Sequence, residues 1–203
     1  MAGRPREFDR DLALECARDA FWLRGYEGVS MADLVSTMGI ASARIYAAFG
    51  SKQELFREAV SLYKAGEGGF AVRAFEEEPT GERAIERMLR DAVETYTQRG
   101  KPSGCMMVMA ATNCTKDNEA IRDWLAHHRR TLTGAIVDRL RRAVDSGELN
   151  SDTDVQALGD LFSALLRGLS VQARDGVSKK RLLALIPPAM RVFDASKSKP
   201  RSR

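Results

Sequence analysis

The chain has 203 residues, of which 44% are hydrophobic and 30% charged, enough apolar material to bury a core and too much for a disordered chain. Its apolar stretches fall far short of the roughly 20 residues a bilayer span needs, and charges occupy the N-terminal positions where a signal peptide has its apolar run. A cytoplasmic protein with no membrane partner is expected.

Cys16, Cys105 and Cys114 are odd in number and widely spaced, which argues against a disulfide framework and against a four-ligand zinc site. The formal net charge of +4 points to nucleic acid only if the charge sits in the right place. Residues 1–60 carry eight Lys and Arg against nine Asp and Glu, whereas Lys197, Lys199, Arg201 and Arg203 supply the four-charge excess from the tail. Net charge is therefore nearly silent about function.

Arg4 and Arg6 form a short basic arm ahead of a helix from about Asp9 to Arg24, with Leu12, Cys16, Ala20 and Leu23 on one stripe and Ala13, Ala17 and Phe21 beside it. Gly25 closes it. Ser30, with Asp33 three residues on, caps a second helix in an imperfect capping box; it buries Leu34, Val35 and Met38 and ends at Gly39. A two-turn helix follows over about Ser42 to Phe49. Ser51 and Glu54 make a full capping box that opens a fourth helix. Gly66, Gly68 and Gly69 loosen the chain and Glu76 to Pro79 breaks it again, so a domain boundary is placed near residue 65.

Helical periodicity then continues over Ala84 to Tyr96, Cys105 to Ala111, Asn118 to Asp145, Asp152 to Arg174 and Ser178 to Ala195, with Pro187 and Pro188 expected to kink or break the last. No run alternates as a strand does. The expected fold is all-α with about nine helices: residues 1–65 a helix-turn-helix domain, 66–195 a larger helical domain, and 196–203 a disordered basic tail.

The second and third helices, with glycine between them, have the layout of a helix-turn-helix, which makes sequence-directed DNA binding the leading reading. Ile45 and Phe49, four residues apart, face inward and turn Ser42, Ala43, Arg44, Tyr46 and Ala47 outward or to the flanks. Arg44 can fork to guanine, Ser42 can bond a base or phosphate, and Ala43 and Ala47 allow close approach and contact with thymine methyls. Tyr46 and Lys52 suit phosphates, as do the free amides at Ser30 and Ser51; Arg4 and Arg6 suit an adjacent minor groove.

Phe21-Trp22-Leu23-Arg24-Gly25-Tyr26-Glu27-Gly28-Val29-Ser30-Met31, Met38-Gly39-Ile40, Ile45-Tyr46-Ala47-Ala48-Phe49 and Ser51-Lys52-Gln53-Glu54-Leu55-Phe56 occur in order and at matching spacing. Together they resemble the DNA-binding domain of the TetR family of transcriptional regulators. The resemblance spans about Asp9 to Tyr63. It implies a three-helix DNA-binding domain joined through the fourth helix to a helical ligand domain, in a homodimer that represses at a palindromic operator until a small molecule binds. It also assigns Ser30 as a phosphate-contacting cap, Tyr46 as a backbone-contacting aromatic and Lys52 as the lysine opening the fourth helix. Ala41 departs from the polar cap of many members, which leaves Ser42 as the hydroxyl able to take that cap. Ala47 and Ala48 replace polar or histidine residues common there.

The apolar stripe of Asp152 to Arg174 is too wide for a monomer's edge helix unless it packs on both core and partner. The resemblance makes this and Ser178 to Ala195 the last two helices and implies a four-helix dimer interface, with Leu158, Leu161, Leu165, Leu169, Leu182, Ile186 and Met190 as the expected contacts. By resemblance the candidate pocket walls are Met88, Tyr96, Met106, Met109, Trp124 and Phe162, a mix suited to an unknown apolar or aromatic effector. Cys105 joins them, since Gly104-Cys105 resembles a stretch that includes the sensing cysteine of an electrophile-responsive family member. A thiol-based repressor using Cys105 is thus a second reading, and a helical enzyme using Cys105 or His127 and His128 a third. No cofactor, metal site or catalytic residue is assigned: glycine-rich phosphate loops and helical zinc-protease patterns are absent from the sequence.

Overall fold

The computed structural model describes residues 8–111 and 114–197. The expected arm residues Arg4 and Arg6, and the tail beyond Lys197, lie outside them.

Asp9 starts the first helix, α1 (Arg10–Arg24), by accepting from the amides of Asp11 and Leu12. Its inward stripe is Ala13, Ala17, Ala20 and Phe21, with Trp22 beside it. The sequence reading had the stripe rotated, for Leu12 is 58% and Leu23 52% exposed. Small alanines face the fourth helix and permit its close approach, while the larger leucines stay outside.

α2 (Met31–Met38) and α3 (Ser42–Phe49) follow at the expected places. Their caps differ from expectation in an instructive way. Ser30 Oγ accepts from Asp33 N at 3.1 Å while the Asp33 carboxylate accepts from Ser30 N at 2.8 Å, a complete capping box. At α4 (Lys52–Ala65), Ser51 accepts from Glu54 N, but no reciprocal bond from Glu54 forms; its carboxylate lies against Gly50 instead. Arg24, 2.7 Å from the Asp33 carboxylate, helps to hold it in this position. Ala41 occupies the cap position of α3 without a side-chain bond, so Ser42 is the first helical residue and does not take the cap.

The glycine cluster is a single 3-10 turn, Glu67–Gly69, leading into a helix that the sequence reading missed, α5 (Phe70–Glu77). Gly68 lies against the Tyr63 ring so closely that a Cβ would fall 2.4 Å from Cε1, which explains a glycine there without any loosening of the chain. α6 (Gly81–Tyr96) is capped by Thr80, and α7 (Met106–Met109) is one turn. A 27-residue α8 (Glu119–Asp145) and α9 (Val155–Arg174) follow. The final helical segment is two helices, α10 (Lys179–Leu183) and α11 (Ile186–Ala195), with the prolines in the first turn of α11, where their missing amides cost nothing. Eleven α-helices among the described residues replace the nine expected, through α5 and this break.

α6 packs between α5 and α9, and α9 lies along α8. A continuous core runs from α1 through both halves, built on fully buried Trp22, Tyr63, Tyr96, Phe21 and Phe56, each worth roughly 1.5–3 kcal/mol of apolar transfer. Ser196 and Lys197, expected in the disordered tail, are held: Asn150 N donates to Ser196 O at 2.9 Å, and the Lys197 ammonium meets Glu82 and Asp194. No described helix is long and apolar enough to cross a membrane.

Candidate DNA-binding face and ligand cavity

α3 is anchored from one side only. Ile45 and Phe49 are buried, and Phe49 is further held by the Arg10 guanidinium 4.4 Å from its ring centre; Arg10 also donates to Ala48 O and pairs with Glu58 of α4. Everything expected to face DNA from this helix is exposed: Ser42, Ala43, Arg44, Tyr46 and Ala47, with Tyr46 at 49% exposure. Among the described residues Arg44 enters no ion pair, so its fork is uncommitted. With Ala41 giving no side-chain cap, the first amides of α3 also lack a side-chain acceptor.

Ser30 and Lys52 flank this face. Ser30 is exposed at the α2 cap. Lys52 is half-buried with its ammonium 4.3 Å from the Tyr26 ring centre, and burial pushes its pKa down while Glu27 and Asp33 oppose that. Its charge is therefore placed beside the α1–α2 turn as well as at the α4 N-terminus.

A second site lies in the larger half: a cavity of about 200 Å³ between the α4–α5 junction, α6, α7, α8 and α9. Of the expected walls only Tyr96 and Cys105 line it. Met88, Met106 and Phe162 are core residues with essentially no exposed surface. Trp124 is turned toward Phe56 and His128, and neither it nor Met109 lines the cavity. The neighbours one position or one turn away take their places, namely Met107, Val108, His128, Ser163 and Leu166, together with Phe70 of the unforeseen α5. A residue list drawn from helix identity without rotational phase makes this kind of error.

Cys105, 7% exposed, is held at the start of α7. Its amide donates to Ser170 Oγ at 2.8 Å, and Tyr63 Oη lies 3.5 Å from its Sγ. Burial, reinforced by the Cys105 sulfur, pushes the Tyr63 and Tyr96 phenols well above their ordinary values, so both remain protonated. His127 and His128 do not converge on a carboxylate: Asp123 pairs with Arg122, and His128 stands edge-on to Trp124.

The two sites are tied through the end of α1. Trp22 Nε1 donates to Gly104 O at 3.0 Å, Tyr26 N to Ala110 O at 2.7 Å, and Arg174 of α9 reaches the carbonyls of Trp22, Leu23 and Ser103. Thr115 and Asn118 both donate to the Glu27 carboxylate, which lowers its pKa. Gly104 has φ +81° and sits against Ser170 O, where a Cβ would be only 2.8 Å away, so the residue before Cys105 must be glycine. Nearby, Arg18, Asp19, Glu67 and Lys101 form a four-member ionic cluster joining α1, the turn before α5 and the loop before α7. Sequence reasoning missed these linkers because five of the bonds end on backbone carbonyls and most of the rest join charged or polar side chains far apart in the chain, such as Glu27 with Thr115 and Asp19 with Lys101.

At the expected dimer positions, Leu158, Leu169, Leu182, Ile186 and Met190 are buried within the protomer, Leu165 is half-buried and Leu161 is 48% exposed. α9 instead leaves Ala157, Leu161, Ala164, Gly168 and Val171 at its surface, in alternating steps of four and three residues. Val192 of α11 is exposed as well.

Two family profiles match the chain: "Bacterial regulatory proteins, tetR family" over residues 13–59, and "Tetracyclin repressor-like, C-terminal domain" over residues 81–182. The HTH-type transcriptional repressor ComR of Escherichia coli K12 is 32% identical over 196 residues, 94% of this chain and 91% of its own. BdcR, an HTH-type transcriptional repressor of the same organism, is 31% identical over 185 residues, covering 91% and 88%. Among solved structures, a cysteine mutant of the TetR family regulator CifR, complexed with 26-base-pair operator DNA, superposes with a TM-score of 0.89 at 42% identity over 93% of this chain and 98% of that one. A putative TetR regulator from Rhodococcus sp. RHA1 gives 0.63 at 34% identity, covering 92% and 98%. With a helix-turn-helix at one end, a cavity-bearing helical body at the other, and these relatives along nearly its whole length, the chain belongs to the TetR family of transcriptional regulators.

Proposed function

We propose that this protein is a homodimeric repressor that holds a palindromic operator through α3 of each protomer and releases it when a small molecule enters the cavity. Residues 1–65 serve as the DNA-binding domain and 66–195 as the ligand and dimerisation domain. The observation that carries the reading is the outward face of α3, where Arg44, Ser42, Ala43, Tyr46 and Ala47 stand free together while Ile45 and Phe49 hold the helix. Arg44 reads guanine, the two alanines admit the helix close to the base edges, and Tyr46, Ser30 and Lys52 fix it on the phosphates. Arg44→Ala tests this directly. It is expected to cost about 1–3 kcal/mol of operator affinity and to relax specificity at one base pair per half-site; unchanged affinity and specificity contradict it.

The dimer face follows from what α9 leaves uncovered. Steps of four and three residues are the repeat of a helix–helix seam, and Ala164 and Gly168 let a second α9 approach closely, with Leu161, Val171 and Val192 supplying apolar area. Each half-site offers few base contacts, so useful affinity requires both heads at helical-turn spacing.

Ligand occupancy reaches the heads through α7. The cavity wall at Cys105, Met107 and Val108 is bracketed by Gly104 and Ala110, whose carbonyls hold Trp22 and Tyr26 of the DNA-binding half. Displacing α7 therefore tilts α1 and changes the spacing of the heads.

A thiol reading of the same site rests on Cys105 lining the cavity beside Tyr63 and Tyr96. In it, the sulfur adds to an electron-poor alkene and the thiol proton passes to the adjacent carbon, leaving a bulky adduct against α7. N-ethylmaleimide then releases operator from the native protein and not from Cys105→Ser; equal release from both rules it out.

A further inference from the structure

The charge on the cavity wall is one-sided. Arg129 and Arg167 line it together with Lys64 and His128, and none of its lining residues is Asp or Glu. Among the described residues none of Lys64, Arg129 and Arg167 enters an ion pair. Their hydrogen-bond partners carry no negative charge. Arg129 donates to Met107 O at 2.9 Å, Arg167 to Thr133 Oγ1 at 3.0 Å, and Lys64 Nζ lies 3.3 Å from His128 Nδ1. Thr133 is in turn bonded to the buried Ser163 hydroxyl at 2.7 Å, so Arg167 is oriented by a short polar chain that ends on the cavity wall.

This arrangement is unfavourable for the empty protein. Burial and then the charge of Arg167 push the Arg129 guanidinium below its ordinary pKa, and burial and then Lys64 do the same for His128. Elsewhere Arg18, the most enclosed arginine of the α1 side, has two carboxylates within 3.4 Å. Uncompensated positive charge in a partly dry cavity is the complement of an anion, and the planar fork of a guanidinium matches the two oxygens of a carboxylate. The rest of the wall is apolar: Phe70, Val72, Leu132, Ala135 and Leu166. An apolar cavity of about 150 Å³ accommodates benzene, so this one, at about 200 Å³, takes a single ring or a short chain.

We propose that the effector is a small organic carboxylate, its anionic end held by Arg129 and Arg167 and its apolar body lying against Phe70, Leu132 and Leu166. This rests on the cavity being the effector site of the repressor described above, and it adds an anionic end to the apolar or aromatic effector expected from the sequence. Met107 O, bonded to Arg129, then becomes the point at which the anion draws on α7.

The test is a matched panel of benzoate, cinnamate and hexanoate, each against its primary amide, with benzylamine as the cation, titrated into the full-length protein by ligand-observed NMR and calorimetry. Carboxylates are expected to bind at least tenfold more tightly than their amides, with no binding of benzylamine. Arg167→Gln, at an exposed position, should weaken carboxylates and leave amides unchanged; Arg129→Lys, which keeps the charge, should retain the order carboxylate over amide. Equal binding of amides, binding of benzylamine, an unchanged preference in Arg167→Gln, or failure of every carboxylate overturns the proposal. Operator release is followed separately by fluorescence anisotropy. Carboxylates that bind without releasing operator preserve the anion site and contradict its role as the effector site.

Discussion

Asp33 joins two functions in one side chain. It closes the capping box on Ser30 and receives Arg24, and the hydrogen bonds from Ser30, then Arg24, hold its carboxyl well below the usual aspartate range. A folded-state pKa below the unfolded one means that the unfolded chain binds the proton more readily, so stability rises with pH. The contribution is complete above the ordinary aspartate pKa of about 3.9 and is lost as pH falls below it toward the folded-state value. Ser30→Ala should cost about 1 kcal/mol by loss of the cap, and Asp33→Asn should flatten the acid limb of stability. Urea unfolding between pH 2.5 and 7 checks both. An acid limb unchanged in Asp33→Asn would place the pH dependence elsewhere.

Among the elements, the one-turn α7 and its flanks do most to join the cavity to the DNA-binding half. Trp22→Phe keeps the ring packed against Tyr63 and leaves Gly104 O without its donor. The expected loss is about 1–2 kcal/mol of stability, with near-native operator affinity and a weaker response to effector. Thermal unfolding and operator titrations with and without effector distinguish this from a merely structural role, in which the effector response is unchanged. The same elements show what the sequence made legible. α1 to α4 were readable because caps and glycines mark their ends and Ile45 and Phe49 mark the inward side of α3. α5 was hidden because three glycines ahead of it suggested a break, whereas Gly68 serves to admit the Tyr63 ring. The cavity wall was misplaced because sequence gives the helix but not its rotation, putting Trp124 where His128 stands and Phe162 where Ser163 does. The clamp to α1 left no trace, since its acceptors are the carbonyls of Gly104 and Ala110, which no side-chain pattern reports.

For the whole molecule, the proposed function requires that two heads reach one DNA together. Leu161→Glu places a charge in the centre of the proposed α9 seam at a position already exposed in the protomer, so the fold should persist while dimerisation is lost. Sedimentation should show a helical monomer, and operator affinity should fall by at least 100-fold as bivalency disappears. A dimer that survives with native affinity puts the interface on another face. The central claim is tested most directly by selecting sheared genomic DNA of the source organism with the purified protein at about 150 mM salt, where nonspecific phosphate binding is weakened, and sequencing what is retained. The account predicts one or a few palindromic sites with half-sites a helical turn apart, lost in Arg44→Ala. Retention of unrelated fragments by the folded dimer, or the same sites retained by Arg44→Ala, would contradict it.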